Sequence, residues 1–217
     1  MARQTFHQEL REIEEAVIQL ASLVESEIVR AVQALTQRNG ALAQEVIASD
    51  SEVNGLQLSI RSRCIALMAL QAPVARDLRE LVTVQLVINE LERMGDHGVG
   101  IAKQALTLLQ YEPLPMTTQL TEIGALVRQQ VRQGIEAFVD INVQEARTVS
   151  EKDDEIDHRY KSFVSQLASL LSSNSMVAQQ ATSLLFAAHD LERIGDRVTN
   201  ICEDIIYMVT GELEELN

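Results

Sequence analysis

The sequence predicts an all-α protein of six long helices, arranged as two tandem three-helix bundles related by internal pseudo-symmetry. Three observations carry this. Three prolines and nine glycines punctuate 217 residues, aromatics are only 3%, and Leu, Ala, Val, Glu and Gln dominate; that mixture favours helix over strand. The stretch "LERMGDHG" (Leu91–Gly98) returns one hundred residues later as "LERIGDRV" (Leu191–Val198), with five of the first six residues identical. Around each copy, apolar residues recur at alternating spacings of three and four, the pattern of a buried helical stripe.

The repeat extends over the whole chain. "LVESEIVRAVQAL" (Leu23–Leu35) aligns with "LVRQQVRQGIEAF" (Leu126–Phe138) at an offset of 103 residues. "VIASDSEVN" (Val46–Asn54) aligns with the region ending "DDEID", which pairs Asp50 with Asp153 and Asn54 with Asp157. A three-residue deletion then brings the offset to 100 for the third segment. The two halves are expected at 1–112 and 116–217, separated by "YEPLP" (Tyr111–Pro115), the one stretch with two prolines.

Within the first half, helix one is expected from about Thr5 to Leu35, with "QRNG" and Gly40 as its stop signal. Helix two is expected from about Ala41 to Leu70. Pro73 closes it, because proline disfavours helix in the preceding residue and suits a first turn. Helix three is expected from about Val74 to Gln110, with Leu81, Val84, Ile88, Leu91, Gly95, Gly98, Ala102, Ala105 and Leu109 as its stripe. The second half repeats the plan at about Thr117–Val139, Ile141–Ser172 and Ser175–Thr210. Its third stripe is Ala181, Leu184, Ala188, Leu191, Gly195, Val198, Cys202, Ile205 and Val209. Glycine inside a helix costs about 1 kcal/mol against alanine, so Gly95 and Gly195 are expected where a neighbour approaches closely.

Net charge is −14, which disfavours nucleic-acid backbones and anionic lipid, and suits cations or a basic partner. Cys64 and Cys202 stand alone in apolar patterns, as reduced core thiols rather than a disulfide or thiolate metal site. "MARQTFHQEL" has no apolar signal region and no run reaches membrane-spanning length, so a cytosolic protein without membrane insertion is expected.

The chemistry lies beside the stripes. Glu92 and Asp96 are four residues apart and project from one helix face, as do Glu192 and Asp196. If helices two and three fold as a hairpin about Pro73, the Asp50–Asn54 pair lies as far before the turn as Glu92–Asp96 lies after it. About Asn174, Asp153–Asp157 likewise meets Glu192–Asp196, with Asn200 and Asp154 nearby. Converging carboxylates repel one another unless a cation sits among them, and hard cations prefer oxygen ligands. The plain alternative is a solvated acidic face in which Arg93 and Arg193 form ordinary local ion pairs. His97 and His189 lie near these faces as possible extra ligands.

The two-fold three-helix repeat, with Glu-Arg-x-Gly-Asp in each third helix, resembles the PhoU family of phosphate-transport regulators over almost the whole chain. The family's paired acidic motifs fall on Asp50–Asn54 with Glu92–Asp96, and on Asp153–Asp157 with Glu192–Asp196; Asn200 matches the asparagine that commonly follows. This sequence departs at Asn54, where an acid would be the better ligand, and at Gly100, which replaces the asparagine. The resemblance implies a cytosolic negative regulator, not an enzyme, acting with a phosphate ABC transporter and a sensor histidine kinase. A homodimer is expected. Some members bind iron or zinc clusters at these acids and others hold little metal; Mg, Mn and Ca remain open.

Two other classes compete. A carboxylate-bridged di-iron bundle would use two inward Glu-x-x-His motifs, and this chain has one, Glu155–His158. A metal-free scaffold would present its acids to basic partners. On carboxylate count alone, the second site, with four, is expected to bind cations more tightly than the first, where Asn54 leaves three.

Overall fold

The computed structural model describes residues 2–216, and among them there is no strand. The first half holds α1 (Ala2–Thr36), α2 (Gly40–Gln71) and α3 (Arg76–Leu108). The second holds α4 (Gln119–Val139), α5 (Val143–Ser150), α6 (Asp153–Ser173) and α7 (Ala178–Thr210). Short 3₁₀ turns at Pro115–Thr118 and Ser175–Val177 precede α4 and α7.

The expected fifth helix is thus in two segments, α5 and α6. Glu151 and Lys152 keep right-handed helical backbone, but Lys152 N–H bonds to Val149 O and Glu155 N–H to Lys152 O, both three residues apart. One tighter turn interrupts the α ladder. It makes Asp153 the first residue of α6, where three successive acids, Asp153, Asp154 and Glu155, complement the helix N-terminus.

The expected stop signal at Gly40 is corrected. Gly40 is the first residue of α2, and the left-handed residue that ends α1 is Arg38, at φ 58°. Asn39 N–H reaches back to Ala34 O at 2.9 Å while the Asn39 side chain caps Leu42 N–H at 3.1 Å. The second half repeats the device: Ile141 is left-handed at φ 50°, Asn142 N–H reaches Ala137 O, and the Asn142 side chain caps Glu145 N–H. Asparagine ends one helix and begins the next in both halves.

The third-helix stripes are buried as expected along their length, except at the last residues, Leu109 and Val209, which are exposed. One continuous apolar core runs through both halves. Its centre is the contact of α3 with α7, the most extensive between any two helices. These two run antiparallel: Thr83 Oγ1 bonds to Asp204 O, Arg197 pairs with Glu90, and His97 with Asp190. Helices α1 and α4 pack on one another and on this pair, and α2 and α6 flank it. Cys64 and Cys202 are free and buried, and burial pushes their thiols up to about 11 and about 12.

One polar contact in the first half is costly. Glu80 of α3 lies beside Glu14 of α1, so that two half-buried carboxyls act on one another. Burial, then the Glu14 charge, pushes Glu80 up to about 7 from its ordinary 4.5. The folded protein therefore holds this proton where the unfolded chain has released it, so stability falls as pH rises from about 4.5 to about 7. Glu80→Gln is expected to melt about 2–4 °C above the parent at pH 8, and the gap should close by pH 4.5. Thermal unfolding followed by circular dichroism at the two pH values checks this.

Candidate functional site

Both hairpins have the register that brings their acids level. In the first, Gln57 donates to Asn89 at 2.9 Å across α2 and α3. In the second, the Tyr160 and His189 rings lie 6.1 Å apart across α6 and α7.

In the first cluster Asn54 Nδ2 donates to Asp50 Oδ2 at 2.9 Å, so this asparagine serves its neighbour as a donor. Asp50 Oδ1 and Asn54 Oδ1 are buried without a hydrogen-bond partner. Burial raises the Asp50 carboxyl, and the Asp96 charge raises it further. Burial also raises Glu92, with Asp96 and Asp50 adding to it. Asp50, Asn54, Glu92 and Asp96 are therefore one group in the groove between α2 and α3.

A fifth member comes from α1 and was missed by the sequence reading. Glu27 is 3% exposed. Its Oε1 accepts from Ser49 Oγ at 2.7 Å, and its Oε2 has no partner. That free oxygen lies 3.4 Å from where a Cβ on Gly95 would stand, between Glu92 and Asp96 along α3. The signal was present: Glu27 is a charge within the apolar stripe of Val24, Ile28 and Ala31, all buried.

The second cluster is built alike, with an amide in the place of Glu27. Gln130 of α4, 1% exposed, donates to Asp153 Oδ1 at 3.1 Å. Asp153 is itself only 6% exposed. Burial pushes its carboxyl up to about 6; the Gln130 hydrogen bond opposes this, while Asp196, Asp157 and Glu192 add to it. Asp153 Oδ1 lies 2.5 Å from where a Cβ on Gly195 would stand, so only glycine admits it. The close approach expected at Gly195 is thus made by an acidic side chain, whereas at Gly95 Glu27 Oε2 and Val53 Cγ1 are equally near, at 3.4 Å.

Basic side chains already face the second cluster. Lys161 pairs with Asp157 at 2.6 Å, Arg193 with Asp196, and His189 Nδ1 lies 3.3 Å from Glu192 Oε2. Asn200 is placed elsewhere: its Nδ2 donates to Glu90 of α3 at 3.1 Å, beside Arg197, in the contact between halves. Asp190 occupies the space at Gly100, where it pairs with His97 at 2.9 Å. His97 therefore joins the halves. Glu155 and His158, the lone di-iron-like pair, are exposed on α6, with Glu155 paired to Arg159.

Among the described residues, no three His, Cys, Asp or Glu side chains converge closely enough to hold one metal ion. The donor chemistry nevertheless fits a hard cation. Each cluster is all oxygen and amide, and each has buried oxygen without a hydrogen-bond partner: Glu27 Oε2, Asp50 Oδ1 and Asn54 Oδ1 in the first, Gln130 Oε1 in the second.

The model of the PhoU domain matches this chain twice, at residues 17–105 and 120–205. A phosphate-specific transport system accessory protein PhoU homolog of Clostridium acetobutylicum is 33% identical over 218 residues, spanning 100% of both chains. The phosphate-specific transport system accessory protein PhoU of Escherichia coli is 32% identical over 207 residues, 95% of this chain and 86% of that one. The crystal structure of PhoU from Pseudomonas aeruginosa superposes with a TM-score of 0.91 at 29% identity, over 95% of this chain and 100% of that one. The phosphate transport system regulatory protein PhoU of Streptococcus pneumoniae also gives 0.91, at 32% identity, over 96% and 99%.

The buried Asp153 provides a stability test of the second cluster. Its carboxyl holds a proton up to about 6 in the folded protein against an ordinary 3.8, so stability falls as pH rises through that window. Asp153→Asn keeps an acceptor for Gln130 and removes the charge. In chelator-treated protein it is expected to gain on the order of 2 kcal/mol at pH 8 and nothing below pH 4. Urea unfolding measures this, and a loss at pH 8 would show that an attractive partner holds the carboxylate.

Proposed function

The chain belongs to the PhoU family, and on that premise we propose that it is an accessory regulator of a phosphate-specific transport system. It restrains phosphate uptake and phosphate-starvation signalling when phosphate is plentiful, through the transporter and a sensor histidine kinase on the cytosolic side. The observation that carries this reading is the match along the full length of named phosphate-transport accessory proteins, in both repeats. No described helix is long and apolar enough to cross a membrane, which suits a protein that docks on its partners.

The acid clusters are proposed as cation sites. Asp50, Glu92, Asp96 and the Asn54 amide oxygen would hold a cation in the first, and Asp153, Asp157, Glu192 and Asp196 in the second. A bound cation supplies positive charge that offsets the mutual repulsion of these carboxylates. The chain's own residues keep the clusters shaped: Asn54 orients Asp50, Gln130 orients Asp153, and Gly195 clears the space the Asp153 carboxylate occupies. A metal-free scaffold is the second reading, favoured by the lack of convergence of three acids on one point among the described residues.

Deleting the gene is expected to switch on phosphate-starvation promoters in phosphate-rich medium and to raise phosphate uptake, with both reversed by the wild-type chain. A reporter fusion and labelled-phosphate uptake measure these. Normal expression and uptake in a strain without a second copy would contradict the assignment. Unfolding of the chelator-treated protein with and without added divalent cation decides between the two: the cation reading expects stabilisation, and the scaffold reading expects none beyond ionic strength.

A further inference from the structure

We propose that the open face of the α2–α3 hairpin is a docking groove for an acidic amphipathic helix of the phosphate transporter. The proposal rests on reading the chain as an accessory of that transport system, and names the surface that reading leaves unassigned. Two stripes border the groove. On α2, Leu58, Arg61 and Ile65 follow one another at spacings of three and four residues; on α3, Leu86, Asn89 and Arg93 do the same, so each set occupies one helix face. Gln57 joins the stripes by donating to Asn89 at 2.9 Å. Leu58 and Arg61 line one cavity together with Asn89 and Arg93. Leu58 is 57% exposed, Ile65 53% and Leu86 39%, so the face is apolar where it meets water. Leu58 and Ile65 are two helical turns apart, about 10 Å along the groove. A helix laid alongside meets them with apolar side chains at every third or fourth position.

Charge names the occupant. Among the described residues neither Arg61 nor Arg93 forms an ion pair. Glu92 is the one acid lining this cavity. Burial, then Asp96 and Asp50, raise its carboxyl, and Arg93 and Arg61 oppose them from beyond ion-pair distance. Two guanidinium groups against one carboxylate leave the groove positive on a chain of net charge −14. Guanidinium binds carboxylate in two-pronged fashion, so acids flanking the apolar stripe of a partner helix complete the fit. A second copy of this chain is disfavoured, because two such acidic molecules repel. The second hairpin lacks the combination. By the repeat offsets Arg61 and Ile65 become Val164 and Ala168, and Leu58 becomes Lys161, which pairs with Asp157. Arg193 stands in the place of Arg93 and pairs with Asp196.

The test is binding of the purified phosphate transporter, in detergent, to the immobilised full chain at low and high salt. Two double variants change only exposed positions: Leu58→Ser with Leu86→Ser, and Arg61→Gln with Arg93→Gln. Each should weaken binding roughly tenfold or more, leaving helix content unchanged. The arginine pair should also flatten the salt dependence. Removing the same two charges at Arg132 and Arg159, exposed in the second half, should change affinity by less than about twofold. Unaltered affinity in both groove variants overturns the proposal, as does equal weakening by the Arg132 and Arg159 changes, which is general charge steering. A parent dimer that the leucine variant dissociates also overturns it, since a second copy then covers the face. So does inorganic phosphate bound by the parent and lost in the arginine variant, since a small oxyanion is then the occupant. If the parent itself does not bind the transporter, the accessory reading fails, and the proposal with it.

Discussion

The antiparallel contact between α3 and α7 sets the position of every other helix. Both helices are buried along matched stripes, and each carries on its flank one acid pair. The pairing is held in register by polar contacts: Glu90 meets Arg197 and Asn200, and Asp190 meets His97. Glu90 and Arg197 are 15% and 14% exposed. A pair so withdrawn from water adds little net stability, but a slip that separated its members would leave uncompensated buried charge. It therefore serves register more than strength.

On that frame, acids are held at close quarters. Asp50, Glu92, Asp153 and Glu192 all titrate above their ordinary range, chiefly through burial and then through one another. Two glycines in the middle of long helices add to the local cost. A protein free to optimise stability alone would have placed apolar side chains there. Such expense is characteristic of sites kept for binding.

The sequence revealed the helices, the repeat and the level meeting of the acid pairs, because those follow from spacing along regular helices. Less legible were features set by three-dimensional neighbours. Glu27 joins the first cluster from α1, and hairpin arithmetic between α2 and α3 says nothing of α1. Asn200 sits one turn beyond Asp196, yet it donates to Glu90 of the other half, a partner that spacing within its own hairpin does not reveal. The break at Glu151–Lys152 leaves no proline or glycine signal, and it turns Asp153 inward to 6% exposure. Arg38 ends α1 in a left-handed conformation that glycine usually takes, and Gly40 beside it drew the expectation.

The central claim is that these acids are assembled for a cation and not merely tolerated. Its most direct measurement is the melting temperature of chelator-treated protein in increasing MgCl₂ or MnCl₂, against NaCl at matched ionic strength. The account predicts a saturating rise with the divalent salt beyond that in NaCl; a hundredfold excess over the dissociation constant adds about 2.7 kcal/mol per site. Superimposable curves in the divalent and monovalent salts would contradict it.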